Sequence, residues 1–90
     1  MDALNIRDEL DSYERLSGNS KAIVGRRLLK AATEMTGQIE KLATWLAEGD
    51  RVLDASYDAK REETWLKRLG KYERLCDMRD AIERQVLRAG

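Results

Sequence analysis

Few side chains in this chain could take part in acid–base or metal chemistry, because its 90 residues include no histidine and a single cysteine. Histidine is the commonest general acid–base group near neutral pH and the commonest metal ligand. Two carboxylate pairs remain, Glu62 with Glu63 and Asp77 with Asp80, and the second pair falls on one helical face. Lys and Arg are interleaved with both pairs, which favours a solvated face with ion pairs. We therefore expect no metal site.

Nucleophilic and phosphate-binding motifs are missing from the sequence as well. Cys76 has no second cysteine for a disulfide and no histidine for a Cys/His pair, so the usual zinc spacings are excluded. The glycines are scattered singly and form no phosphate-binding loop. We interpret Cys76 as a small buried apolar residue. The sequence predicts a protein that is not an enzyme and uses no cofactor.

Four basic residues gather where the second helix is expected to begin, after a short helix and a turn that contains glycine. They are Lys21, Arg26, Arg27 and Lys30. This arrangement is similar in outline to a helix-turn-helix, in which the second helix enters the major groove. However, the expected helix is about twice the usual recognition length, and the formal net charge is zero, so no overall field attracts nucleic acid. We favour a basic face that is solvated or paired with Glu on a neighbouring helix. Nucleic acid or an acidic protein are the alternatives.

Helical apolar spacing accounts for almost the whole chain. Gly18 suits the left-handed position that ends a first helix. Gly49 is interpreted as a stop signal, and residues 50–58 are left open as a loop or as an extension of either long helix. The expected helices cover residues 2–16, 21–48 and 59–89.

The two long helices are expected to form an antiparallel hairpin that turns near Ala55. Their apolar positions mirror one another about this turn, at the alternating spacing of four and three residues that produces a buried seam. Gln38 interrupts the seam and is expected to form a hydrogen bond with Tyr72. A slip of one helical turn in this register is the alternative. The expected pairs are Val24–Val86, Leu28–Ile82, Met35–Leu75, Gln38–Tyr72 and Trp45–Trp65.

A second apolar row lies beside that seam, since Ala32, Ile39 and Leu46 recur every seven residues. The buried face is therefore wider than a two-stranded coiled coil requires, and the first helix is the nearest element that could cover it. The sequence predicts one all-α domain over residues 1–90. Its architecture is a three-helix bundle made of a long hairpin and a short N-terminal helix, which could dimerise into a larger bundle.

Function is expected to lie in protein–protein interaction, as a small helical adaptor or subunit of a complex that binds through helix packing. A homodimer would use the same surface, and an inhibitor would look the same in sequence. The expected partner-binding residues lie beside the seam and are Ile39, Leu46, Leu66, Leu69 and Cys76. The alternative is a small nucleic-acid-binding protein that uses Lys21, Arg26, Arg27 and Lys30.

Location follows from what the sequence lacks. One cysteine and no signal-like N-terminus predict a reducing, intracellular compartment, cytoplasmic or nuclear. The apolar runs are far shorter than the roughly 20 residues that cross a bilayer. We therefore expect a soluble protein without a membrane partner.

Overall fold

The computed structural model describes residues 3–88, which form three α-helices. They are α1 (Ala3–Tyr13), α2 (Gly18–Ala55) and α3 (Ala59–Arg88). No strand occurs between residues 3 and 88, and α2 packs along α3. The predicted all-α, three-helix fold is therefore confirmed. Over the residues described, none of the helices is both long enough and apolar enough to span a membrane.

The turn between α1 and α2 comes earlier than predicted. α1 ends at Tyr13 rather than at residue 16, and the backbone N–H of Leu16 donates to the carbonyl of Tyr13 at 3.1 Å. Gly18 has a φ of 60°, the left-handed conformation that glycine adopts without steric cost. α2 begins at Gly18 rather than at residue 21. The predicted ends of the chain's helices at residues 2 and 89 lie outside the described residues.

Gly49 does not end α2, which continues to Ala55, so the expected stop is wrong. Glycine is needed here for a different reason. The Trp65 indole lies against Gly49 so closely that a Cβ at this position would be 2.7 Å from Trp65 Cδ1. Residues 56–58 form the whole connection, and the Asp58 carboxylate accepts the backbone N–H of Lys60 at 2.9 Å, where α3 starts. The turn is thus centred two residues beyond the predicted position.

The buried seam of α2 keeps Leu28 and Met35 of the predicted seam, but between and beyond them it runs one residue later, along the row predicted to be the flank. Ala32, Ile39 and Leu46 are 4%, 6% and 7% exposed, whereas Gln38 is exposed to solvent. Packing against α3 therefore follows Ala32, Ile39 and Leu46, and the expected hydrogen bond from Gln38 to Tyr72 is wrong. Both rows consist mainly of apolar residues, and the polar Gln38 belongs to the row that faces outward.

The tryptophans have different partners from those expected. Trp65 Nε1 donates to the backbone carbonyl of Leu46 at 2.8 Å, and the Trp65 ring covers Gly49. Trp45 lies under the guanidinium of Arg68, with Cζ 4.3 Å from the ring centroid. Each indole therefore packs on the opposite helix, Trp65 on the backbone of α2 and Trp45 on the Arg68 side chain of α3.

α1 packs against the hairpin near the chain termini. Glu9 Oε1 accepts a hydrogen bond from Arg27 Nη1 at 2.6 Å, and the Tyr13 ring lies beside Gly25, so α1 runs antiparallel to α2. Its Ile6 and Leu10 join the core that contains Leu28 and Ile82, the two residues with no exposed area. At 1.5 Å per residue, α1 extends about 16 Å, which takes it to about residue 36 of α2.

This geometry divides the hairpin into two parts. In the terminal half, α1 completes a three-helix bundle as predicted. In the loop half, defined here as residues 40–72, α2 and α3 pack only against each other within the described chain.

Candidate interaction surface

The five residues predicted to bind a partner do not share one accessible surface. Ile39 and Leu46 are buried in the hairpin, so the expectation that they remain accessible is wrong, because they belong to the seam that contacts α3. Cys76 is half-buried and packs against the core. Leu69 is half-buried, and Leu66 is 53% exposed. Of the five predicted residues, only Leu66 and Leu69 therefore offer apolar surface to a partner.

The four basic residues at the start of α2 are also divided. Lys21 Nζ lies 5.1 Å from the centroid of the Tyr13 ring, and Arg27 pairs with Glu9. Both side chains therefore contact α1. Arg26 and Lys30 are exposed and one helical turn apart. The ion pair of Arg27 with Glu9 agrees with the predicted pairing of the basic face with a Glu on a neighbouring helix.

The carboxylates show no convergence on a metal. Asp77 and Asp80 line an open hollow on the outer side of α3, together with Glu83, Arg84 and Leu87. No group of three or more potential ligands comes together among the residues that the structure describes. Glu62 accepts a hydrogen bond from the hydroxyl of Tyr57 at 3.3 Å, and its negative charge raises the pKa of that phenol above 10.0. Both groups lie at the turn between α2 and α3.

One row of α2 changes from buried to exposed where α1 ends. Ala31 is 2% exposed, whereas Gln38, seven residues later, is exposed. The next members at the same spacing are Trp45, which is half-buried, and Val52, which is 40% exposed. Positions seven residues apart lie on one side of a helix in a hairpin of this kind. The flank that contributes to the core in the terminal half is therefore uncovered in the loop half.

A row of basic side chains on α3 starts at this uncovered flank, where Arg68 contacts Trp45, and extends from there around the outer side of the helix. At 100° per residue its members fall within an arc of about 140°. The three acidic residues of the same segment, Glu62, Glu63 and Glu73, lie outside that arc, with Glu63 at its edge. All six basic residues are exposed. We call them the basic stripe: Lys60, Arg61, Lys67, Arg68, Lys71 and Arg74.

The sequence itself contains the signal for the basic stripe. Lys60, Lys67 and Arg74 are seven residues apart, and so are Arg61 and Arg68. Four members of the stripe lie within residues 67–74, and mapping the charge by helical face adds Lys60 and Arg61 to the same side of α3. Within the described residues, Lys67 forms one ion pair, with Glu63 at 3.5 Å.

Comparison with known proteins finds no matching family model, no matching curated protein and no matching solved structure.

Proposed function

We propose that this protein is a non-enzymatic protein–protein interaction module, a small helical adaptor or subunit that binds its partner through helix packing along the loop half of the hairpin. One observation supports this function most directly. α1 reaches only about as far as residue 36 of α2, so the longer part of the hairpin lacks the third helix that completes the core near the termini. Helices that leave apolar side chains partly exposed on their flanks offer grooves for a further helix.

Apolar surface in the loop half supports the same proposal. Leu66 is 53% exposed and Val52 is 40% exposed, and Trp45, Trp65 and Leu69 are half-buried beside them. Isolated exposed apolar residues are normal on a protein surface. Here they accompany two half-buried indoles on a two-helix segment, and large aromatic side chains are enriched where partners bind. Helix packing against this segment would bury them.

The test uses substitutions of exposed residues, which leave the core intact. Leu66→Asp and Val52→Asp place a charge on opposite flanks of the loop half. Ile23→Asp is the matched control, because Ile23 is 54% exposed but lies in the terminal half. The chain is tagged, recovered from its own cells, and the mass and stoichiometry of its complex are measured by light scattering and mass spectrometry.

We expect a complex of fixed stoichiometry that is lost with at least one loop-half substitution and retained with Ile23→Asp. Circular dichroism would check that all three variants fold. The proposal is wrong if the complex survives both loop-half substitutions, or if the chain is a free monomer in its own cells.

A further inference from the structure

We propose that the flank of the loop half bordered by the basic stripe binds an acidic amphipathic helix of a partner protein, along the continuation of the path that α1 follows in the terminal half. This inference rests on the proposed function and adds the chemistry of the partner and the flank that it occupies.

Continuity with α1 is the first argument. The row that includes Ala31 is buried beside α1 and continues through Gln38 to Trp45 and Val52 without a covering helix. Helices pack with axes 8–10 Å apart by placing side-chain ridges into the grooves of their neighbours. From residue 38 to residue 55 the uncovered path measures about 27 Å at 1.5 Å per residue. This length accommodates a helix of about 18 residues.

Charge complementarity gives the sign of the partner. The basic stripe supplies six cationic side chains on the solvent side of α3, and its Arg68 reaches the path and lies over the Trp45 ring. Complementary charge at the edge of an interface steers association and fixes register. A helix that fills this path and carries Glu or Asp along its edge would pair with the stripe.

α1 provides an example within the same chain. It is amphipathic, with Ile6 and Leu10 in the core, and its sequence ALNIRDELDSY contains three acidic residues and one arginine. Its Glu9 pairs with Arg27 at the edge of the packed surface. The terminal half therefore already binds a helix with an apolar face and an acidic edge.

Two other occupants fit this flank less well. A second copy would bring a two-helix hairpin to a path that, in the terminal half, takes the single helix α1. A nucleic acid would pair its phosphates with the cationic side chains, but Arg68 already lies over the Trp45 ring on which a base would stack, and Leu42 and Val52 would gain no contact. An acidic amphipathic helix satisfies both the charges and the apolar floor.

The experiment is a calorimetric titration of the full chain with a synthetic 18-residue peptide that has Leu at helical spacing and Glu on both sides of the Leu row. The control peptide has Lys in place of each Glu. Two protein variants are compared, Arg61→Glu with Lys71→Glu in the basic stripe, and Arg26→Glu with Lys30→Glu in the terminal half. Both change the net charge by the same amount at exposed positions, so both should fold.

We expect the acidic peptide to bind one to one and the basic peptide not to bind. The stripe variant should bind the acidic peptide at least tenfold more weakly, and the terminal-half variant within twofold of the original chain. A single-stranded oligonucleotide, titrated in parallel, should bind more weakly than the acidic peptide.

Three results would overturn the inference: no binding of the acidic peptide at roughly millimolar concentration, equal weakening by both charge variants, or tighter binding of the oligonucleotide. Light scattering that shows a dimer dissociated by the stripe substitutions would also overturn it, in favour of a second copy. The proposed function has a separate test. A native complex that depends on Leu66 but not on the stripe would retain the proposed function and remove this inference.

Discussion

Replacing Gly49 by alanine should destabilise the protein, although the same change in a helix interior is normally favourable. Alanine is better than glycine inside a helix by about 1 kcal/mol. At Gly49, however, the added methyl group would be 2.7 Å from Trp65 Cδ1 and 3.2 Å from Nε1. The ring cannot move away freely, because its Nε1–H donates to the Leu46 carbonyl at 2.8 Å.

The magnitude follows from these opposing effects. Forcing an extra methyl group into a packed site costs about 1–3 kcal/mol. After the gain in helix propensity is subtracted, Gly49→Ala should lower the free energy of unfolding by about 0–2 kcal/mol. Gly37 provides the matched control in the same helix, because nothing lies within 4 Å of the position that its Cβ would occupy. Gly37→Ala should therefore raise the free energy of unfolding by about 1 kcal/mol.

Urea unfolding followed by circular dichroism would measure both variants against the original chain. For a domain of this size a difference of 1 kcal/mol corresponds to about 4–8 °C in Tm, so thermal unfolding should separate them as well. In a Trp65→Leu background the clash is absent, and Gly49→Ala should then become stabilising. The packing argument fails if Gly49→Ala stabilises the original chain as much as Gly37→Ala does.

Two further predictions test the core and the loop. Ile82→Ala should lower the free energy of unfolding by about 2–5 kcal/mol, because Ile82 has no exposed area. Leu87→Ala in the same helix should change it by less than about 0.5 kcal/mol, since Leu87 is 62% exposed. Similar losses for the two variants in urea unfolding would contradict the assigned core. Glu62→Gln should lower the pKa of Tyr57 towards 10.0, because it removes the negative charge that holds the proton on the phenol. An NMR titration of the Tyr57 ring that is the same in both proteins would show that Glu62 has no such effect.

The number, type and approximate position of the helices could be predicted from the sequence, because long helices without proline repeat their apolar spacing many times. The end of α2 could not be predicted in the same way. Gly49 has the residue type of a helix stop signal, but its lack of a Cβ makes room for the indole of Trp65, which belongs to α3. Local propensity contains no information about such a tertiary contact.

The register of the seam shows a second limit. Two neighbouring rows of α2 are apolar, and one residue separates them at Gln38 and Ile39. The sequence predicts that the row with the polar Gln38 is the seam, and it explains this polar residue by a hydrogen bond with Tyr72. The buried row contains Ile39 and Leu46, so two predicted binding residues lie in the core. Leu66 is exposed as expected because it lies on a flank of α3 and not on the side that faces α2.

The basic stripe was missed for a related reason. The chain is neutral overall, with seventeen basic and seventeen acidic residues, and the basic group at the start of α2 stands out because no acidic residue lies between Lys21 and Lys30, whereas Glu73 lies within the group on α3. Two of those residues are bound to α1 through Glu9 and Tyr13, which the sequence does not reveal. The charges of α3 segregate by helical face in the sequence itself, whereas the flank of α2 that the basic side borders depends on how the two helices pack.

The elongated shape of the hairpin has a consequence for how this protein behaves in solution. Its dimensions are 56 × 19 × 18 Å, with a radius of gyration of 16.6 Å, whereas a compact domain of 90 residues has about 12 Å. A single 10.3 kDa chain should therefore diffuse slowly for its mass and elute early from a sizing column, at the volume of a larger globular protein. Its frictional coefficient and rotational anisotropy should match those of a short rod with an axial ratio of about 3.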